Sequence, residues 1–314
     1  MVDVTHPLRP SAVGRAPARP AASGLHRMMR RRTTTAVLMC LPLMAIVGGL
    51  ILYPALYAIY LSTLNKAQTK FLGLGNFTFL LTRDTFWMVV WQSAIFAISA
   101  VFFKALIGLI TAHLVNNLPA KGQRKWRGML LVPWVIPLAL STLSWWWLFD
   151  PTHSAFNYVI EAFGGNSIAW LGDPYWARFS VILVNVWYGA PFFLIMYLAA
   201  LKSVPGELYE AAQIDGANSW QRFAHITLPM MRNIIAITVL FSLIVTFANF
   251  DIVRIMTNGG PRNMTHVFAT YAFKVGIESG DIPLGASVSL FMLPILAISA
   301  VFILRGVRKR GREI

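Results

Sequence analysis

Six long runs of apolar side chains divide this chain, with short polar or charged stretches between them. They lie within residues 36–61, 88–118, 128–149, 177–201, 234–256 and 284–304. Each matches the roughly 20 residues an α-helix needs to cross a hydrocarbon core. The pattern predicts an all-α membrane protein of six transmembrane helices, bent in the first span by Pro42 and Pro54 and loosened in the third by Pro133 and Pro137. The first run follows Arg27, Arg30, Arg31 and Arg32 and could pass for a secretory signal. It is longer than the roughly 7–15 residues of a signal's apolar core, and no small-residue cleavage site closes it, so it should remain as a span. Residues 1–26, rich in Pro, Ala and Arg without periodicity, are expected to be a disordered tail, leaving 27–314 as the six-span domain.

Composition agrees with the pattern. Hydrophobic residues make up 57% of the 314 and charged residues only 12%, about half the share usual in soluble domains. The net charge of +15 would suggest nucleic acid in a soluble protein, but nineteen of the 27 Lys and Arg fall in the two tails and the second and fourth connections. Those are the segments that share one face if there are six spans. By the positive-inside rule that face is cytoplasmic, which puts both termini in the cytoplasm and removes nucleic acid as a partner. Cys40 is the only cysteine, so no disulfide or thiol metal site can form, and the six histidines show no ligand spacing. No metal is expected.

The fourth connection, residues 203–229, is the polar stretch that carries information. Pro205-Gly206 ends the fourth span, Glu207 to Ile214 reads as a short amphipathic helix, and Gly216 permits a sharp turn. Ser219 to Ile226 reads as a second short helix before Pro229 opens the fifth span. Glu207, Glu210 and Asp215 offer acceptors to a soluble partner, and the small Ala211 and Ala212 allow close approach. Composition alone would equally suit an interfacial connector.

Within the spans, polar groups at helical spacing suit an uncharged polar cargo. Asn185, Tyr188 and Gly189 share one face of the fourth span, Ser242, Thr246 and Asn249 one face of the fifth, and Trp134 stands between the prolines of the third. Small polar residues also serve helix packing, which for Ser242 is the simpler account. Lys104, in mid-span, must face the bundle interior or an interface, where it either bonds helix-end carbonyls or takes a substrate role. Asp251 and Arg254, at i and i+3, are expected to pair, and Trp145, Trp146 and Trp147 to anchor at the outer interface. Neither a catalytic constellation nor a Gly-rich phosphate loop ending in Gly-Lys-Ser/Thr is present.

The loop's spacing adds a resemblance. Glu210-Ala211-Ala212, Gly216 after three residues, Ile226 after nine more, then Leu228-Pro229 resembles the signature loop of ABC importer permeases of the type I fold. Phe71 to Phe77, Pro133 to Pro137, Trp147 to Pro151, Val184 to Trp187, Ser203 to Pro205 and Thr257 to Pro261 look like the carbohydrate-uptake branch, which includes maltose and glycerol-phosphate/sugar permeases. The resemblance implies a transport subunit, not an enzyme, in a bacterial inner membrane. Its implied partners are a second permease, two ATPase subunits that bind ATP and Mg, an extracytoplasmic solute-binding protein and a sugar. In the larger maltose permease the sugar-contacting positions match Trp134, Leu138, Asn185, Tyr188, Gly189, Ser242, Val245 and Thr246. Leu138, Val245 and Thr246 replace a serine, a phenylalanine and an asparagine there, so the resemblance implies an altered pocket. A polyamine or phosphorylated polyol in the same machine is a second reading, and a secondary transporter a third; the latter would call for ionisable residues along the path.

Overall fold

The computed structural model describes residues 32–310. The expected tail, residues 1–26, lies outside them. Among the described residues the only β pairing is an isolated bridge between Leu64 and Phe71; all else is helix, turn or loop. The chain divides into two units, residues 1–56 and 57–314. In the first, the helix Arg32–Val47 carries Pro42 within it and passes into a π-helical turn, Gly48–Leu52. The helix Tyr53–Ser62 follows, with Pro54 at its second position.

That π turn recurs before Pro229, and for the same reason. A proline inside a helix donates no hydrogen bond to the carbonyl four residues back, and its ring presses on that carbonyl. A wider turn relieves both. The Tyr53 N–H bonds the Gly48 carbonyl and the Leu228 N–H the Phe223 carbonyl, five residues back in each case. As a result Pro229 does not open a new helix. Ser219–Phe247 is one helical run of 29 residues, so the expected separate helix over 219–226 is instead the first part of the fifth span.

Among the described residues, five helical runs are long and apolar enough to cross a membrane: Thr35–Ser62, Asp84–Asn116, Pro174–Lys202, Ser219–Phe247 and Ile282–Ile303. The remaining predicted span, the third, is broken into Ala120–Leu130, Val132–Val135 and Leu138–Leu148. Ile136 is extended, with ψ at 135°, as the residue before a proline prefers. The fifth span also ends earlier than its apolar run, at Phe247, and Asp251–Met256 forms a separate turn of helix.

The second and fourth spans form the structural axis. Gly108 sits directly against the fourth span, where a Cβ would lie 2.3 Å from the Phe193 Cβ. Ala97, Ala100 and Ala112 are also fully buried. Small residues let membrane helices approach until dispersion contacts close, which matters where lipid supplies no hydrophobic drive. Val101, Ala112 and Val115 meet Phe193, Tyr197 and Leu198 there, joined by Met231 of the fifth span.

At the other end an aromatic cluster closes the bundle. Phe149, Trp170, Val181, Ile252, Val253 and Met256 pack together with Phe96. Trp145 belongs to this cluster, with ring centroids 5.7 Å from Phe149 and 5.4 Å from Trp187. Of the three expected anchors only Trp146 and Trp147 stay exposed. Asn157 ties the connection after the third span. Its carboxamide oxygen accepts from Trp170 Nε1 and Ile168 N, and its nitrogen donates to the Ile168 carbonyl.

Arg254 does not pair with Asp251. It bonds Glu278 and Asn258 and lies over the Phe273 ring at 4.8 Å. Asp251 occupies the exposed first turn of its short helix, where a carboxylate complements the helix dipole. The chain's return through residues 268–278 supplies the partner. Beneath this pair His266 is buried, its Nδ1 3.1 Å from Thr270 Oγ1. Gly259 makes the room: a Cβ there would lie 2.0 Å from the His266 ring. Burial, helped by the Lys274 and Arg254 charges and opposed by Glu278, pushes the His266 pKa down to about 4.

Candidate functional site

The polar connection between the fourth and fifth spans is a capped, pinned structure. Gly206–Ile214 is a nine-residue helix, too short to hold alone in water. Its C-terminus is closed by Gly216 at φ +77°. The Gly216 N–H bonds the Gln213 carbonyl at 3.1 Å and the Ala217 N–H bonds the Ala212 carbonyl at 2.8 Å. This double bond pattern satisfies two orphan carbonyls and requires a left-handed residue, which glycine adopts without strain. Asn218 and Gln221 then form a reciprocal capping box at the start of the next helix.

Tyr209 fixes the short helix to the spans. Its hydroxyl lies 2.9 Å from Thr227 Oγ1, which is buried at the foot of the fifth span. The His113 ring of the second span meets Phe223 edge-on at 5.5 Å, and Lys202 of the fourth bonds Gln123 in the first piece of the third. The loop is thereby joined to the ends of several spans. Its outward surface presents Glu207, Glu210, Ala211, Asp215 and Gly216, all exposed, as is Pro229, while Ala212, Ile226 and Leu228 are half-buried. Ile214, unremarked in the sequence, is 87% exposed at the helix tip. Asp215 follows it directly and Glu210 lies one helical turn before it, so the tip joins an apolar side chain to acidic neighbours.

The residues that could face a cargo within the spans separate into two groups. Lys104 is 4% exposed and its Nζ donates to Thr246 Oγ1 at 2.8 Å, a side-chain hydroxyl rather than a helix-end carbonyl. Thr246 in turn donates to the Ser242 carbonyl at 2.6 Å. The lysine stem crosses Gly189, where a Cβ would stand 2.5 Å from its Cδ. Lys104, Gly189 and Thr246 therefore form one junction of the second, fourth and fifth spans. Ser242 and Asn185 are also buried, and Asn185 Oδ1 has no hydrogen-bond partner. Tyr188 is half-buried. Asn249 lies past the helix end, where its Oδ1 accepts from Ile252 N, so it does not share a face with Ser242 and Thr246.

The second group is aromatic, with Trp134 and Phe241 exposed and Phe192 between them half-buried. Trp134 is 44% exposed and its ring centroid lies 5.9 Å from Phe192, which lies 5.3 Å from Phe241. The row crosses the third, fourth and fifth spans. Phe192 and Phe241 went unnoticed in the sequence because a phenylalanine in an apolar run carries no local signal. The fourth-span spacing was available: Phe192 lies four residues, one helical turn, past Tyr188.

The site is therefore a set of membrane-spanning helices joined by a capped polar loop with an acidic outer face. Residues 104–309 match the family model described as binding-protein-dependent transport system inner membrane component, and the chain belongs to that family. It is a permease subunit of an ABC importer and a multi-pass protein of the inner membrane. It is 30% identical to the trehalose/maltose transport system permease protein of Thermococcus litoralis, over 89% of this chain and 96% of that one. It is 31% identical to the sulfoquinovosyl glycerol transport system permease protein of Agrobacterium fabrum, over 85% and 89%. Among solved structures, a chain of a bacterial ABC transporter involved in the import of the acidic polysaccharide alginate superposes with a TM-score of 0.78 at 21% identity. That match covers 91% of this chain and 98% of the other, and it establishes the type I importer permease fold.

Proposed function

We propose that this chain forms one half of the transmembrane path of an importer for a sugar or sugar derivative, driven by partner ATPases through residues 203–229. A second permease supplies the other half, two ATPase subunits bind ATP and Mg, and an extracytoplasmic solute-binding protein delivers the cargo. Both termini and the loop face the cytoplasm, in keeping with the distribution of Lys and Arg. The observation that carries this reading is the loop: a Schellman-capped helix tipped by exposed Ile214 and tied through the Tyr209 hydroxyl to Thr227 in the fifth span's helical run. Because Ser219–Phe247 is one helical run, a push on the loop moves the span that carries Ser242 and Thr246.

Sugar as cargo is supported by relatives named for trehalose, maltose and sulfoquinovosyl glycerol. The open row of Trp134, Phe192 and Phe241 is chemically apt, since aromatic faces stack on the apolar faces of sugar rings. Asn185, Tyr188, Gly189, Ser242 and Thr246 line the polar flank in this reading, with Lys104 fixing Thr246.

The test is ATPase activity of the reconstituted complex with its binding protein and a panel of sugars, for wild type and Ile214→Glu. One sugar class should stimulate the wild type, and the variant, while assembling normally, should lose that stimulation. Stimulation by a polyamine alone would overturn the cargo assignment. Unchanged coupling in the assembled variant would overturn the role of the loop.

A further inference from the structure

Two cavities meet at the root of the loop, and their chemistries differ. The first, about 400 Å³, is polar and is lined by His113, Asn116, Asn117, Tyr209 and Arg222. The second, about 670 Å³, is apolar, and runs along Leu106, Leu109, Ile110 and Leu114 of the second span to Trp220. Both cavities share His113, Asn117, Ser219 and Phe223, so they form one continuous amphipathic groove. No carboxylate lines either part. Arg222 makes a single 3.3 Å bond to Ser219 Oγ, which leaves most of its guanidinium donors unspent. His113 Nδ1 is buried with no hydrogen-bond partner.

We propose that this groove holds an anionic phospholipid of the inner leaflet. The leaflet assignment rests on the cytoplasmic orientation given under Proposed function. The lipid phosphate accepts from Arg222 and from the Asn116 and Asn117 amides, while an acyl chain lies along Leu106, Ile110 and Leu114. A phosphodiester accepts hydrogen bonds and carries charge, which is what a donor-rich pocket with a cation and no acid selects. The apolar part excludes the simpler occupants. Leu106, Ile110 and Leu114 are exposed on a membrane-spanning helix, at a depth a soluble partner does not reach, and free phosphate has nothing to place there. Trp220, 72% exposed beside the polar part, suits the headgroup level, where tryptophan is enriched. A lipid in this position would brace the foot of the fifth span against the second.

The experiment uses the whole importer complex, purified from nanodiscs of phosphatidylcholine with and without phosphatidylglycerol, with retained lipid counted by native mass spectrometry. Wild type should retain phosphatidylglycerol in preference to phosphatidylcholine. Arg222→Gln should lower retention about fivefold, the worth of one basic residue at an anionic surface, and Arg222→Lys should preserve most of it. Ile110→Trp, which fills the groove without touching charge, should lower retention as well. Equal retention in wild type, Arg222→Gln and Ile110→Trp, or no preference for the anionic lipid, would overturn the proposal. So would crosslinking of an Ile110→Cys variant to another subunit, which would make the groove a protein interface. A wild-type complex stabilised by inorganic phosphate but retaining no lipid would also refute it. None of these readouts depends on transport, so a failed sugar assignment leaves the result interpretable.

Discussion

Gly216 offers a sharp test of how the loop is built. Its φ of +77° lies in the left-handed region, yet a Cβ added there would meet nothing within 4 Å. Substitution therefore costs backbone strain without a clash in this chain. For an L-residue other than Asn or Asp that strain is about 1–2 kcal/mol, equivalent to a roughly 5- to 30-fold loss in the population of the closed cap. The two N–H groups that report on it are those of Gly216 and Ala217, bonded to Gln213 and Ala212. Amide hydrogen exchange at positions 216 and 217 should thus accelerate by that factor in Gly216→Ala. Gly216→Asn should accelerate it much less, because Asn tolerates the left-handed region, and Gly216→Val should be the worst, being β-branched. Cargo-stimulated ATPase activity of the complex should follow the same order: Gly, Asn, Ala, Val. The opposite order for Asn and Ala would refute the reasoning, since Asn is the larger side chain. It would mean that the glycine is required for close approach of a partner surface and not for its dihedral angle.

Three further outcomes follow from the geometry. Gly189→Ala sets a methyl against the Lys104 stem and should cost about 1–3 kcal/mol of stability; Lys104→Ala should relieve most of that in the double variant, read as a non-additive pair of melting temperatures in detergent. Asn157→Leu orphans Trp170 Nε1 and the Ile168 N–H and carbonyl, and at about 1 kcal/mol or more per buried group it should lower stability by about 3 kcal/mol in a thermal melt. His266 has a folded pKa of about 4 against an ordinary 6.5, so between those values the unfolded segment binds more protons than the folded one. Stability of residues 257–281 should be fully present above pH 6.5 and decline as pH falls toward about 4; limited proteolysis across that range should show it, and His266→Gln should flatten the profile.

The division between what the chain announces and what folding decides follows the range of each interaction. Six apolar runs, the basic segments beside them, the turn at Gly216 and the helix at Gly206–Ile214 are legible because each depends on residues within a few positions of one another: transfer to lipid, cap geometry and a left-handed dihedral are local properties. The break at Ile136 was half legible, since the prolines mark a weakness but not whether packing will bridge it. Other outcomes depend on which helices become neighbours. Lys104 needed an acceptor, but 142 residues separate it from Thr246, and nothing near either one names the other. Arg254 finds Glu278 rather than Asp251, and Trp145 turns inward from its two neighbours, because the returning chain supplies partners that sequence adjacency does not. Phe192 and Phe241 become an open aromatic row only once the spans that bear them are packed side by side. Sequence alone determined the apolar runs, the short helix ending at Ile214 and the glycine turn after it, while the limits of the third and fifth spans were set by folding. The tertiary structure decided which polar groups are spent on holding spans together and which surfaces stay open, because burial and hydrogen-bond partnership in a membrane are settled between helices and not along them.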